Sequence, residues 1–406
     1  MKAGYLSEFF TGVAIKALSA VEADAARSNQ HEYNGDAELK RVFGRTKTKL
    51  VFPARFIYLN DADDEPVVDD GFVTWYDARE NHPTRSEHRL YFPTTAVSLC
   101  AAEGDLLVIG RRQDNSVLVI IAQGQSTIAN QVQWLFNVGP LYGHHGFSVR
   151  EELETEQDRV QFASRFILEQ IGVVVEATEE TYLETMLQKF GEAFPKTRDF
   201  STYARSTVQD IDPRADPDAA LMAWMEREEI LFRTLEKHLL AERLSAGFKN
   251  NIDGFLEFSL SVQNRRKSRV GLALENHMET IFADLQIQYE RSASTEGKAK
   301  PDFLFPDGRQ YHNPQFDPMR LTMLGVKSTC KDRWRQVLAE AERIQRKHLL
   351  TLETAISTHQ TAQMEEKFLQ LVVPHALHST YSPDQAKWLL DVASFIELVR
   401  TRQNLQ

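Results

Sequence analysis

An acid and a lysine in the last third of the chain have the types and spacing needed to hydrolyse a phosphate ester. Asp302 opens the short apolar stretch Phe303–Phe305, and Lys327 lies near the end of a second stretch, Leu324–Ser328. If the two stretches are adjacent strands, the carboxylate can hold a divalent cation while the lysine lies beside the attacking water. The sequence therefore suggests metal-assisted hydrolysis as the chemistry of this region.

A second carboxylate for the cation has to come from another element. In nucleases of the PD-(D/E)XK type it stands two residues before the lysine, where this chain has Gly325. The following segment predicts a helix over 332–350, and Glu340 lies on the same helical face as Val337. We expect Glu340 to point toward the sheet, where a carboxylate is costly unless it is paired or bound to a metal. Glu275, in an earlier predicted helix, can approach the same sheet.

Each of these residues also has an ordinary explanation. Glu340 could pair with Arg333 or Arg343, Asp302 could be a turn residue, and Lys327 could lie at a strand edge. The combination of acid, lysine and helical acid in one αβ unit favours the catalytic interpretation.

Two basic segments of this half could contact nucleic acid. Arginine and lysine can donate to guanine O6 and N7, and aspartate can accept from cytosine N4. The first segment is Lys331, Asp332 and Arg333, and the second is Arg265, Arg266, Lys267 and Arg269. The second segment could instead be the solvated start of a helix.

The order and spacing of several sequence segments resemble a known family. They are Asn264–Arg269, Lys300–Pro306, Val326–Lys327, Thr329–Gln336 and Leu371–Pro374 with Leu377 and His378. This half of the chain is similar to EcoRII-like type IIE restriction endonucleases, in the EcoRII and Ecl18kI group of PD-(D/E)XK nucleases. The resemblance implies an α/β restriction-endonuclease-like domain in which the second acid has moved from the lysine strand to the next helix.

The resemblance also implies roles for individual residues. Asp302, Lys327, Glu340 and Glu275 match the catalytic set, with Asp302 and Glu340 as Mg²⁺ ligands. The segment Lys331 to Arg333 matches the part that reads CC/GG in a short palindrome. Tyr311 matches a tyrosine near the active site, although we expect it to have a packing role. The implied partners are double-stranded DNA, a second copy of the chain and a cognate DNA methyltransferase.

The N-terminal half predicts mainly strands, at Leu50–Leu59, Gly71–Tyr76, Asp105–Ile109 and Ser116–Ile121. Two of its segments, Trp75–Arg79 and Thr84–Arg89, resemble the DNA-reading loop of the family's effector domain, a B3-like pseudobarrel. Arg79, Arg85, Glu87 and Arg89 match that loop and are DNA-binding candidates, and His88 is a further candidate in the same segment. Ser86 and His88 depart from the family pattern, which leaves the bases read by this domain open.

Length and local patterns give the domain organisation. At 406 residues the chain exceeds the usual size of one hydrophobic core. We predict an N-terminal domain over 1–194, a polar linker over 195–217 and a catalytic domain over 218–406. Helices are predicted over Phe9–Ala20, 150–171, 180–194, 218–239 with Asp218 as the cap, and 264–285.

The composition bears on the cellular location of the protein and on its ability to bind DNA. Cys100 and Cys330 form no CxxC pair, which argues against a disulfide framework and a structural zinc site and favours a cytoplasmic location. A net charge of −11 is compatible with DNA binding only if positive charge is concentrated locally. Two other functions stay open: a noncatalytic DNA-binding regulator, and a repair or nicking nuclease.

Overall fold

The computed structural model describes residues 5–23, 31–63, 65–82, 84–139, 146–160, 162–173, 175, 180–330 and 333–404. The chain divides into two compact units. The first comprises residues up to Val175 together with Ala355–Ser357, and the second comprises the remaining residues from Glu176 onward. Within the described residues, none of the helices has the length and apolar character that crossing a membrane requires.

The first unit contains an eight-stranded sheet with the strand order β2-β5-β4-β3-β7-β6-β1-β8. Its strands are β1 (Phe10–Ala17), β2 (Glu32–Gly35), β3 (Leu50–Leu59), β4 (Val67–Asp77), β5 (His88–Tyr91), β6 (Leu106–Arg112), β7 (Val117–Ala122) and β8 (Ser148–Arg150). Strands β3 and β7 are parallel, and the other neighbouring pairs are antiparallel. The helices of this unit are α1 (Ala20–Ala23), α2 (Leu39–Phe43), α3 (Ala96–Cys100), α4 (Thr127–Leu135) and α5 (Phe162–Gln170).

Both faces of this sheet are covered, which explains the continuous apolar run of β7. Successive side chains of a strand point to opposite faces. Leu118 and Ile120 pack in one core, and Val119 and Ile121 pack in the other. The predicted strands of this half are confirmed, with β4 and β6 longer than expected.

Two helix predictions in this unit are wrong. The predicted helix Phe9–Ala20 is largely β1, a strand between β6 and β8. Its Val13 and Ile15 are buried on one face of the sheet and Ala14 on the other, so the apolar residues do not form a helical stripe. The predicted helix 150–171 is interrupted as well, because β8 ends at Arg150 and α5 begins at Phe162.

The second unit contains a five-stranded mixed sheet with the order β13-β12-β11-β10-β9. Its strands are β9 (Glu290–Arg291), β10 (Phe303–Phe305), β11 (Thr322–Val326), β12 (Lys347–Leu350) and β13 (Leu369–Val372). Strands β9 to β11 are antiparallel neighbours, and β11 to β13 are parallel neighbours. The helices are α6 (Leu183–Phe190), α7 (Thr197–Ser206), α8 (Pro217–Ala246), α9 (Ile252–Asp284), α10 (Gly308–His312), α11 (Trp334–Val337), α12 (Thr358–Glu366), α13 (Pro383–Trp388) and α14 (Val392–Asn404). The predicted α/β class of this half is confirmed.

Helix α8 begins two residues earlier than predicted. Asp216 is its N-cap, and the Asp216 carboxylate accepts a hydrogen bond from the Ala219 amide. Asp218 is buried instead, and its carboxylate accepts hydrogen bonds from the amides of His375, Val392 and Ala393. Asp218 thus attaches the C-terminal segments to α8, a tertiary role that a local capping pattern does not reveal.

The polar segment predicted as a linker, 195–217, contains α7. Its Phe200 and Tyr203 are buried together with Leu231 and Phe232 of α8. The helix was missed because its polar residues dominate the composition while a few aromatic side chains supply the packing. The structure therefore includes this segment in the second unit, whereas the predicted domain boundary fell after it.

The predicted helix over 332–350 is also wrong. Helix α11 ends at Val337, and β12 begins at Lys347. Between them Ala341 has a φ of 49°, a left-handed conformation that a continuing helix excludes. The charged residues around position 346 hid a short strand that lies inside the sheet.

Candidate active site

Asp302 and Lys327 meet at the adjoining ends of β10 and β11. The strands pair antiparallel with Phe303 opposite Leu324. One carboxylate oxygen, Asp302 Oδ2, accepts hydrogen bonds from the Val326 amide at 2.6 Å and from Lys327 Nζ at 2.8 Å. Asp302 is therefore tied to the lysine strand and is not a simple turn residue.

Gly325 explains why the second acid is not on the lysine strand. A Cβ atom at this position would lie 3.0 Å from Val337 Cγ2 and 3.2 Å from Val337 Cγ1, closer than almost any real Cβ contact. Leu349 of β12 is the next neighbour, at 3.5 Å. Helix α11 thus packs directly on the glycine, and a longer side chain there would push the helix away from the sheet.

Glu340 supplies a carboxylate near Asp302 and Lys327, from the turn that follows α11. Its Oε2 atom is buried and has no hydrogen-bond partner among the described residues. Burial, together with the charge of the nearby Asp302, raises the pKa of Glu340 to about 7, and the charges of Lys327 and Lys347 oppose this shift. Arg343, which the sequence offers as a possible partner of Glu340, instead donates to the carbonyl oxygens of Asn313 and Phe316.

Glu275 approaches the same centre from α9. It pairs with Arg291 of β9, with Glu275 Oε2 at 2.6 Å from Arg291 Nη2. Burial raises the pKa of Glu275, the hydrogen bond from Arg291 lowers it, and the charge of Asp302 adds to the increase. Arg291 also contacts Glu279 and Asn276, each at 2.9 Å, so it fixes this face of α9. The sequence analysis does not predict a role for Arg291, because that role depends on contacts with α9 that no local pattern indicates.

A polar cavity of about 220 Å³ lies between α9 and the lysine strand. It is lined by Lys267, Ser268, Gly271, Leu272, Glu275, Val326, Lys327, Ser328 and Arg333. Lys267 and Arg333 are exposed at this cavity, consistent with their predicted place in a DNA-binding surface. The other two residues of that recognition segment, Lys331 and Asp332, lie outside the described residues.

The remaining basic residues of the α9 segment are engaged with neighbouring helices. Arg269 is only 5% exposed and pairs with Glu228 and Glu229 of α8. Arg266 pairs with Glu236 at 2.6 Å, and Arg265 lies 4.0 Å from the ring centre of Phe194. The predicted DNA contact of Arg269 is not compatible with its burial here, because contact with DNA would require breaking two buried ion pairs.

The DNA-reading segment predicted in the first unit forms a loop held by ion pairs. Glu87 binds Arg79 and Arg89, each at 2.6 Å, and Arg89 also binds Glu32 at 2.9 Å. Arg85 is exposed. The hydrogen bonds and charges of the two arginines, Arg89 first, lower the pKa of Glu87 despite its partial desolvation. Arg79 and Arg85 are the arginines most accessible to a ligand in this loop.

His88 does not fit the predicted DNA-binding role. It is 3% exposed, its ring lies 5.1 Å from that of Trp75, and its ring nitrogens are within hydrogen-bond distance of Thr46 and Ser86. We correct its assignment to a structural one: His88 fixes the start of β5 beneath the loop.

Tyr311 has a structural role, as expected. It is fully buried, and its hydroxyl lies 2.5 Å from both carboxylate oxygens of Glu296. It also accepts a hydrogen bond from the Arg343 amide. Tyr311 therefore supports the chain just after Glu340, without reaching the Asp302–Lys327 pair itself.

The residues present fit a magnesium ion whose coordination is completed by water and substrate. Among the described residues, no three His, Cys, Asp or Glu side chains are grouped so that they could hold a metal alone. Mg²⁺ is commonly held by one or two carboxylates plus substrate phosphate oxygens and water. Asp302 and the unpartnered Glu340 oxygen provide such a pair of carboxylates.

Comparison with known proteins shows what the C-terminal half of the chain is similar to. Residues 232–396 match the family model described as EcoRII C terminal. The Type II restriction enzyme EcoRII of Escherichia coli is 39% identical over 204 residues, which make up 50% of this chain and 50% of that protein. The C-terminal region therefore has a restriction-endonuclease-like fold and is similar to the EcoRII C-terminal domain. The match spans only about half the length of that curated relative.

Two solved structures are more distant. "Metal-depleted Ecl18kI in complex with uncleaved DNA" is 17% identical with a TM-score of 0.44, covering 56% of this chain and 87% of that chain. "Restriction endonuclease PspGI-substrate DNA complex" is 17% identical with a TM-score of 0.43, covering 54% and 95%.

The raised pKa of the buried Glu340 carboxylate leads to a prediction about the stability of the protein. Because the folded-state pKa of Glu340 is about 7, above the ordinary value of 4.5, ionised Glu340 opposes folding, and stability is lost as the pH rises through this window. We expect Glu340→Gln to raise the free energy of unfolding at about pH 8 without metal by on the order of 1–3 kcal/mol, with little effect near pH 4.

Urea unfolding followed by tryptophan fluorescence, in the presence of a chelator, measures this difference. Glu342→Gln changes an exposed neighbour and serves as the matched control. Equal stabilities of wild type and Glu340→Gln at the higher pH would contradict the description of Glu340 as an uncompensated carboxylate.

Proposed function

We propose that this protein is a magnesium-dependent type II restriction endonuclease that hydrolyses both strands of DNA at a short palindrome containing CC/GG. The observation that carries the proposal is the Asp302–Lys327 contact beside the unpartnered carboxylate of Glu340, within a region that matches the EcoRII C-terminal family. Two carboxylates and a lysine at one strand edge suit hydrolysis of a phosphodiester.

Each residue has a separate task in the proposed reaction. Asp302 and Glu340 would hold Mg²⁺, and the chemistry that the ion would supply is neutralisation of charge on the phosphate oxygens. Lys327 Nζ, fixed by Asp302, orients the attacking water and neutralises phosphate charge. Glu275 stays tied to Arg291 and supports the centre from α9. Ionisation of Glu340 prepares it to receive the cation.

Recognition of the bases is assigned to the segment that follows the lysine strand. Lys331, Asp332 and Arg333 have the donors and acceptors that G·C pairs present in the major groove. Lys267 is exposed on the opposite wall of the cavity and suits a contact with a phosphate. The central base pair of the site is not defined by these residues.

We propose a homodimer as the active unit, since a palindrome presents two related strands to two centres. A shared surface is available on the helical hairpin of α8 and α9. Ile252, Leu256 and Leu260 are 72%, 51% and 52% exposed and follow one face of α9.

Replacing Lys327 tests catalysis and the dimer together. Lys327→Ala should reduce cleavage of a plasmid roughly 10²–10⁴-fold, because the water loses its positioning group, while sequence-specific binding is retained. Mixed dimers of the variant with wild type should nick one strand. Lys367→Ala, an exposed lysine away from the cavity, is the control.

Plasmid cleavage and a gel-shift assay measure the two properties. Full cutting by Lys327→Ala would refute its role, and absence of nicking in mixtures that demonstrably exchange subunits would refute the dimer. Specific binding without cleavage in wild type would instead favour a regulator. Cuts confined to damaged or mismatched DNA would favour a repair nuclease.

For the first unit we propose a B3-like effector domain that binds a second copy of the site and regulates cleavage. The accessible Arg79 and Arg85, on a loop held by Glu87, support this proposal. A cytoplasmic location and a cognate methyltransferase that protects the host site belong to the same proposal.

Arg85→Ala should lower the stimulation of cleavage by an added duplex that contains the site, because it removes a DNA contact from the effector loop. Its activity without added duplex should match that of wild type. Arg55→Ala, another partly exposed arginine of the first unit, is the control. Cleavage rates with and without the added duplex measure the effect, and unchanged stimulation in Arg85→Ala would contradict the assignment.

A further inference from the structure

Lys347 is a buried lysine that none of the proposed catalytic steps uses. It is the first residue of β12 and only 8% exposed. Its ammonium donates to the carbonyl oxygen of Ile344 at 2.9 Å and lies 3.4 Å from that of Ala341. A buried ammonium is costly unless hydrogen bonds and opposite charges compensate it. The contacts of Lys347 therefore indicate which part of the structure its buried charge stabilises.

The carbonyl groups that Lys347 binds belong to the turn directly after Glu340. Ala341 has the left-handed φ of 49°, which costs free energy unless the surroundings hold it. The amides of the same turn are bound from the other side: Glu342 donates to Glu296 and Arg343 to the Tyr311 hydroxyl. Lys347 binds the carbonyl oxygens of the turn, and Glu296 and Tyr311 bind its amides.

Lys347 is also electrostatically coupled to Glu340. Its charge opposes the increase in the pKa of Glu340 that burial causes, and Glu340 in return favours the charged form of Lys347. Burial, the first cause, lowers the pKa of Lys347, while the charges of Glu296, Glu342 and Glu340 raise it. An ammonium at this position thus has two effects: it holds the turn together through its hydrogen bonds, and its positive charge acts on the Glu340 carboxylate.

We propose that Lys347 is a positioning residue that holds the turn 341–344 and thereby keeps Glu340 aimed at the cation. This inference rests on the proposed metal site and adds a residue that acts through Glu340, without contact to DNA. A neutral side chain of similar length would fill the space but leave two buried carbonyl groups without their donor.

Lys347→Met is the test, with Arg346→Met as the matched control, because Arg346 is the adjacent but exposed cation. We expect Lys347→Met to weaken binding of Mn²⁺, measured by electron paramagnetic resonance without DNA, by about 10- to 100-fold. Hydrogen exchange at the amides of residues 341–343 should accelerate in the same variant. Arg346→Met should match wild type in both measurements, and Lys347→Arg should recover most of the Mn²⁺ affinity.

Wild-type Mn²⁺ affinity and unchanged hydrogen exchange in Lys347→Met would overturn the proposal. If that variant does not fold, Lys347→Ala, which removes the donor and the charge with a smaller side chain, decides the matter by the same two measurements. Normal Mn²⁺ binding by Lys347→Ala, with no faster exchange, would likewise refute the positioning role. Neither measurement requires cleavage, so failure of the nuclease proposal would be seen separately, as absence of cutting by wild type.

Discussion

The close packing of Val337 on Gly325 is the constraint on which the arrangement of this site depends. It leaves little room for a side chain at position 325 of the lysine strand, and it brings a short helix directly onto the sheet. Because that helix is so close, the turn at its end places Glu340 near Asp302. The missing acid of the strand and the extra acid of the turn are therefore two results of one packing contact.

Charge in the second unit is divided between structure and the proposed DNA surface. Arg269 and Arg266 neutralise glutamates of the neighbouring helix, so they contribute to the association of α8 and α9. Lys267, between them in the sequence, is exposed at the cavity instead. Lys267 and Arg333 place exposed positive charge at the cavity, so a net charge of −11 is compatible with local contact between this region and DNA.

The sequence predicted the residues of the candidate site better than the backbone that carries them. Asp302 and Lys327 could be found because short apolar strands flank them, and the structure brings them into contact. Glu340 was also found, but through a predicted helix that in the structure ends at Val337, since the chain turns at Ala341 and re-enters the sheet. Burial of His88 depends on long-range packing against other strands, and a local pattern of charged residues carries no signal for it.

The most direct test of the central claim is incubation of the purified full chain with a mixed-sequence plasmid, with Mg²⁺ or with a chelator, followed by sequencing of fragment ends. The account predicts discrete ends at one short palindrome that contains CC/GG, formed only when Mg²⁺ is present. Sequence-specific binding without any cleavage in Mg²⁺ would contradict it and would make the protein a DNA-binding regulator on a nuclease fold.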